Sequence, residues 1–191
     1  MLRQITLVVA LVNSVFAWNP TSYPFIPAST DSTKVRDMII ESQGENKRIL
    51  DVGCGLGYST SDAPGCMGID LNKYNVKKAQ KLFPEKKFRH SFVNAKYPRE
   101  KYDVVTCMFY LHDLPQYLRK KTIESAMNLA KEKVVVVDID PDYEPDTQLL
   151  QRRRHMDDYQ KNCRNDLIDF SELVLVDGLL NMWIYKKNKL G

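Results

Sequence analysis

The chain has no cysteine pattern, no strong excess of either charge and no apolar run long enough to span a bilayer. Each absence removes a class of protein. Cys54, Cys66, Cys107 and Cys163 have no partner spacing and form no C-x-x-C, so neither a disulfide framework nor a zinc site is indicated, and the folded part suits a reducing compartment. Lysine and arginine number 28 against 24 aspartate and glutamate, a formal +4 that calls for no nucleic-acid surface and does not exclude one. The most apolar stretch, residues 5–12, is too short for a transmembrane helix. What remains is 191 residues, 43% of them hydrophobic, enough for one core of ordinary size and therefore one domain.

Residues 1–17 carry one positive charge, Arg3, then the apolar run, then small residues ending at Ala17, which is the layout of a secretory signal peptide. A first strand or helix of the fold is the alternative. Residues 18–33 hold Pro20, Pro24 and Pro27 among serine and threonine, the composition of a linker or targeting segment. Phe16-Ala17-Trp18-Asn19-Pro20 resembles the bipartite targeting junction of algae with secondary plastids. The chain is thus expected to enter the secretory pathway, with a plastid and a secreted or endomembrane destination both open. The folded domain is expected over residues 34–191.

The chain is organised around Ile49-Leu50-Asp51-Val52-Gly53-Cys54-Gly55-Leu56-Gly57. Its apolar half reads as a short strand buried on both faces of a parallel sheet, and its glycine half as a tight turn over which a ligand can lie on the backbone at Gly53, Gly55 and Gly57. The spacing is G-x-G-x-G rather than the dinucleotide G-x-G-x-x-G, which argues against NAD or a flavin. Upstream, Val35, Met38, Ile39 and Ile40 recur at helical spacing over residues 34–43, with Gly44 as C-cap. Downstream, residues 58–63 have room for a short helix before Pro64-Gly65 stops it. Strands are expected at 67–71, 88–93 and 134–139, with a further strand and its exit over 102–115, helices at 72–82 and 117–131, and a final strand pair at 173–176 and 182–185 about Asp177-Gly178. Residues 147–165 read as a polar helix with a solvated face, or more sharply as a lid or anion clamp built on Arg152, Arg153, Arg154 and His155.

Asp70 ends the second strand about twenty residues beyond the first, where an acid can hold both hydroxyls of a ribose. Its plainer role, capping the following helix, competes with Asn72, itself a good N-cap. The stretch from Leu50 to Gly57 closely resembles the first motif of class I S-adenosylmethionine-dependent methyltransferases, and the run from Tyr102 to Pro115 resembles their fourth. The resemblance spans about residues 34–187, with four motifs in order. It implies an α/β Rossmann-like three-layer sandwich with a seven-stranded, mostly parallel sheet and a C-terminal antiparallel strand pair. It also implies S-adenosyl-L-methionine as cofactor, with Asp51, Gly53, Cys54, Gly55 and Gly57 at its methionine end and ribose, and Asp70 on the ribose hydroxyls. Leu71 and Asn72 would flank the adenine, Asn94 would accept from its amino group, and Ala95 and Phe109 would complete the cofactor set. Asn94 stands where the family usually has aspartate; its amide oxygen can accept the same bond, and a plain turn residue is the competing reading.

The family's signatures for amide or exocyclic amine methylation, for cytosine carbon methylation and for ribose methylation are absent. A sulfonium methyl is already electrophilic, so aligning the acceptor supplies much of the rate, and a base matters only if a proton must leave. His112 is the first candidate base, Asp138 with Asp140 and Tyr143 the second, and Tyr110 a wall beside the methyl. A purely local hydrogen-bonding role for His112 is the alternative. The expected activity is methyl transfer to oxygen or nitrogen of a small molecule, with no metal. A protein or RNA methyltransferase, or a cofactor-binding subunit completed by a partner, stand as alternatives.

Overall fold

The computed structural model describes residues 30–93, 101–144 and 153–187. The expected signal peptide, most of the linker, Asn94 and Ala95 lie outside the described residues. Strand β1 (Ile49–Val52) is buried at all its positions, as an apolar run in mid-sheet must be. Helix α1 (Thr30–Glu41) precedes it, starting ahead of the expected position, and Gly44 at φ +95° follows with its N–H donated to the Glu41 carbonyl. The chain continues through β2 (Met67–Asp70), α2 (Lys73–Leu82), β3 (Phe88–His90), β4 (Tyr102–Met108), a 3₁₀ turn (Leu111–Asp113), α3 (Gln116–Leu129), β5 (Ala130–Ile139), α4 (Met156–Asp166), β6 (Ser171–Val176) and β7 (Leu180–Lys186).

The seven strands form one sheet in the order β3-β2-β1-β4-β5-β7-β6. The first five run parallel, β7 pairs antiparallel with β5, and β6 antiparallel with β7, so the expected sheet and terminal pair are both present. The chain moves outward from β1 to β3 and then returns to β4 on the other side. A crevice therefore opens at the carboxyl ends of β1 and β4, the switch point where such sheets take their ligands.

Alternation along the strands divides the core between the two faces. Leu50, Val105, Val134 and Val136 pack with residues of α3 and α4; Ile49, Val104, Val135 and Val137 pack with Val35 and Ile39 of α1. All four cysteines are free and buried. Among the described residues no helix is long and apolar enough to cross a membrane.

Several local expectations are corrected. Residues 58–63 form turns, not a helix. Ser59 and Thr60 donate their hydroxyls to the Asp51 carboxylate at 2.8 and 2.7 Å, which draws the segment down onto β1 in place of helical bonding. Strand β3 ends at His90, three residues early, while β5 starts at Ala130, directly after α3. The polar helix is not merely solvated: Met156, Tyr159 and Cys163 of α4 are buried against the sheet. What clamps it is a fully buried guanidinium. Arg119 of α3 donates to Asp166 at 2.6 Å, to Asp158 at 3.1 Å and to the Leu114 carbonyl at 3.0 Å. Tyr159 adds a hydroxyl bond to the Ile139 carbonyl. This fixes α4 beside the exits of β4 and β5.

Candidate functional site

The glycine turn is hooked to the end of β2. Gly53 and Cys54 both donate their N–H groups to the Ile69 carbonyl, at 2.9 and 3.0 Å, and Gly55 donates to Asp70 Oδ2 at 2.8 Å. Of the three glycines expected to admit a ligand, only Gly55 opens on space. A side chain at Gly53 would run into the Tyr110 ring, and one at Gly57 would lie 2.5 Å from Phe88 Cζ. Gly53 and Gly57 thus make room for packing, and Gly55, at φ +54°, leaves the backbone bare.

Asp70 is buried at the tip of β2, with Oδ1 accepting the Asn72 N–H at 2.6 Å and Oδ2 that of Gly55. The cap of α2 is Asn72, whose side chain accepts from Tyr74 and Asn75. The plainer role proposed for Asp70 is therefore taken by its neighbour, and each Asp70 oxygen retains a further lone pair for a hydroxyl donor. Leu71 beside it is 42% exposed, with its carbonyl 2.9 Å from His90 Nε2. Asp51 lies under the turn and is almost wholly buried. Besides Ser59 and Thr60, Thr106 approaches it at 3.4 Å. Burial raises its pKa, against the three hydroxyls and the charge of Arg36. Cys54 is also buried, and burial pushes its thiol up, out of the range of a nucleophile.

At the exit of β4 the backbone turns sharply. Phe109 has φ +55°, a left-handed conformation costly for a residue with a side chain, held by its N–H bond to the Val137 carbonyl at 2.8 Å. That turn lays the Tyr110 ring against Gly53. Two residues on, His112 Nδ1 stands 2.6 Å from Asp138 Oδ1, both side chains buried. Asp138 also accepts N–H bonds from Leu111 at 2.8 Å, His112 at 3.3 Å and Ile139 at 2.9 Å. The structure thus joins the first and second candidate bases into one pair. Burial works against the charged imidazole, but the charge and hydrogen bond of Asp138, with Asp113 behind them, raise the His112 pKa. Asp113 lies 3.7 Å from His112 Nε2 and is gripped by Arg153 at 2.5 and 2.7 Å. Asp140 stands apart from the pair, engaged by Arg164 at 3.3 Å and by the Asp142 N–H at 2.9 Å.

A family model described as a methyltransferase domain matches residues 32–173. The chain belongs to that methyltransferase family. No curated protein sequence matches it. Among solved structures, a magnesium protoporphyrin IX methyltransferase from Synechocystis with bound SAH is similar at TM-score 0.58 and 17% identity over 82% of this chain and 84% of that one. The same protein with bound SAM gives TM-score 0.58 and 16% identity over 95% and 97%. A TehB-like SAM-dependent methyltransferase from Corynebacterium glutamicum gives TM-score 0.56 and 14% identity over 80% and 87%. At such identities the likeness speaks for the fold, which is that of the class I S-adenosylmethionine-dependent enzymes.

The residues of this methyltransferase fit that cofactor. A buried carboxylate with unused acceptor capacity at the end of β2 suits a ribose diol, and the open backbone at Gly55 lies directly beside it. Among the described residues no cluster of His, Cys, Asp and Glu is placed to hold a metal ion. Sequence reasoning missed Arg36 and Arg119. Arg36 sits next to Val35 on α1, and only the packing of α1 over the strand ends brings its guanidinium 4.3 Å above the Phe109 ring. The polar segment of α4 carried no sign that Asp158 and Asp166 would meet a buried arginine 39 and 47 residues away in the chain.

Proposed function

We propose that this methyltransferase transfers a methyl group from S-adenosylmethionine to an oxygen or nitrogen of a small molecule, with His112 taking the proton that the acceptor loses. The observation that carries the reading is the His112–Asp138 pair, set at the β4 exit beside the cofactor crevice. The cofactor supplies an electrophilic sulfonium methyl. Asp70 would accept from its ribose hydroxyls, and Tyr110, seated on Gly53, would wall the end of the crevice nearest the acceptor. Asp138 orients the imidazole through Nδ1, so Nε2 is the nitrogen that takes the proton. Only the neutral imidazole can do so, and turnover should therefore rise with pH through the raised His112 pKa.

A small acceptor is favoured over a polyanion because Arg153, central to the basic run, is engaged by Asp113, and Arg164 by Asp140, Asp142 and Glu172. The Synechocystis neighbours, named for magnesium protoporphyrin IX, also act on a small molecule. Calorimetric titration with S-adenosylmethionine, repeated on Asp70→Ala, tests the cofactor site. Saturable binding that weakens by about 10²–10⁴-fold, the worth of two hydrogen bonds to a charged group, is expected. Mass spectrometry of a panel of phenols, carboxylic acids and amines then reads the acceptor, and His112→Asn should lower turnover about 10²–10⁴-fold on the substrate found. Equal binding by Asp70→Ala, or undiminished turnover by His112→Asn, would sink the respective assignment.

A further inference from the structure

The outer edge of the sheet at β3 is strongly basic. Residues 72–90, which build α2 and β3, hold seven lysines and arginines against one acid, Glu85, although the whole chain has only 28 against 24. Helical spacing puts Tyr74, Lys77, Lys78, Lys81 and Leu82 on the outward half of α2, opposite the buried Val76 and Ala79. Lys77, Lys78, Lys81 and Lys87 are exposed, and among the described residues no carboxylate pairs with them. Lys86 is partly engaged, by the Gly57 carbonyl at 3.4 Å, the Phe83 ring at 4.2 Å and the charge of Asp37. Past the end of α2, Lys86, Lys87 and Arg89 line a groove with Met67 and Phe88. Across the switch point the balance reverses: α4 and β6 carry Asp157, Asp158, Asp166 and Glu172 against Lys161 and Arg164. The molecule is thus polarised along its strand order, and a negative surface would draw one edge and repel the other.

A face that needed only to be solvated would do as well with mixed charges. Lys73, Lys77 and Lys81 instead follow one another at four-residue intervals, where like charges repel and weaken the helix. Counter-charge from outside removes that cost. The kind of partner is indicated by what stands among the lysines: Tyr74 is 65% and Leu82 51% exposed, and Leu71 lies beside the N-terminus of α2. A nucleic-acid backbone offers such aliphatic side chains nothing, whereas a bilayer takes them between its headgroups while the lysine stems reach up to the phosphates. We propose that this edge docks on an anionic lipid bilayer, with α2 lying in the headgroup layer. Because α2 starts at the tip of β2, docking sets the mouth of the crevice at the bilayer surface.

The test is co-sedimentation of the full chain with phosphatidylcholine vesicles that contain or lack phosphatidylglycerol. Wild-type protein should bind the anionic vesicles, leave the neutral ones and be released by high salt. Lys77→Glu, Lys78→Glu and Lys81→Glu together should weaken binding at least about a hundredfold. Lys131→Glu, Lys161→Glu and Lys186→Glu, which change the net charge equally but lie elsewhere, should weaken it far less. Tyr74→Ser with Leu82→Ser should cost roughly tenfold, the worth of burying their exposed halves. No binding of wild type to the anionic vesicles, equal losses in the two charge-reversed proteins, or binding that survives reversal on α2 would each overturn the proposal. So would binding indifferent to Tyr74→Ser with Leu82→Ser, or tighter binding to a short double-stranded RNA than to the vesicles; either would assign the face to a polyanion instead. The wild-type comparison of the two vesicle types decides even if a variant fails to fold by thermal melt.

Discussion

Replacing Asp138 with asparagine measures the fold's need for this carboxylate apart from the chemistry proposed for it. Asp138 offers two oxygens to four donors: Oδ2 faces the N–H groups of Leu111 and His112, and Oδ1 faces Ile139 N–H and His112 Nδ1. An asparagine keeps one oxygen and turns an NH₂ toward the other pair. Whichever way the amide lies, two bonds to the charged carboxylate are lost: those from the Leu111 and His112 N–H groups, or those from the Ile139 N–H and His112 Nδ1, where the imidazole can at best accept from the new NH₂ as its other tautomer. Hydrogen bonds to a charged acceptor are worth about 1.5–3 kcal/mol each, so the loss should be about 3–5 kcal/mol, with the 3.3 Å bond at the weak end. That is a large fraction of the ~5–15 kcal/mol that typically holds a domain together.

The pH dependence gives a second, independent reading of the same substitution. Because the folded pKa of His112 is raised, the folded state binds more protons than the unfolded one between the ordinary histidine value and the raised one. The stability from this pair is complete below the unfolded pKa and is lost as pH rises through the folded value. Removing the Asp138 charge removes the main cause of the rise, so that downward slope should vanish in Asp138→Asn. Urea denaturation followed by circular dichroism at a series of pH values measures both effects. A variant within ~1 kcal/mol of wild type at neutral pH, or one that keeps the wild-type slope, would refute the reasoning.

Arg119→Met should cost about 3 kcal/mol in the same assay, because it removes the guanidinium from the buried Asp166 carboxylate and leaves only Gln116 and Lys120 as its side-chain partners. A loss under ~1 kcal/mol would show that α4 is fixed by its apolar face alone. The turn glycines should part company. Gly57→Ala, strained by φ +88° and crowded by Phe88, should destabilise the fold by about 2–5 kcal/mol, and Gly55→Ala, facing open space, by only about 1–2 kcal/mol. Gly55→Ala should nonetheless bind S-adenosylmethionine about tenfold more weakly or worse, since its methyl enters the space left for the ligand. Unchanged affinity in calorimetry would place the cofactor elsewhere.

Much of the architecture was legible because it rests on short-range patterns. Ile49, Leu50 and Val52 next to a glycine turn specify a buried strand with a ligand-facing exit, and Asp70 follows at the spacing of a parallel neighbour. Asn72 was readable as a helix cap for the same reason, since its partners are two and three residues away. The segment after the turn misled: its residues permit a helix locally, and only the presence of Asp51 beneath Ser59 and Thr60 decides otherwise. Length was misjudged in β3 and β5, where pairing with neighbouring strands, rather than composition, sets the ends.

The sequence by itself determined the order of the strands, the glycine turn and which groups are candidates for the chemistry, because periodicity and spacing act within a few residues. Tertiary structure alone decided which of those groups meet. His112 and Asp138 come from different strands and form one buried pair only because β4 and β5 are neighbours in parallel register. Tyr110 lies on Gly53 because Phe109 takes a left-handed turn that no spacing rule requires. Arg36 reaches the crevice because α1 packs across the sheet. Charge and hydrogen bonding act through space, and burial, which multiplies their strength, exists only once the chain has closed on itself.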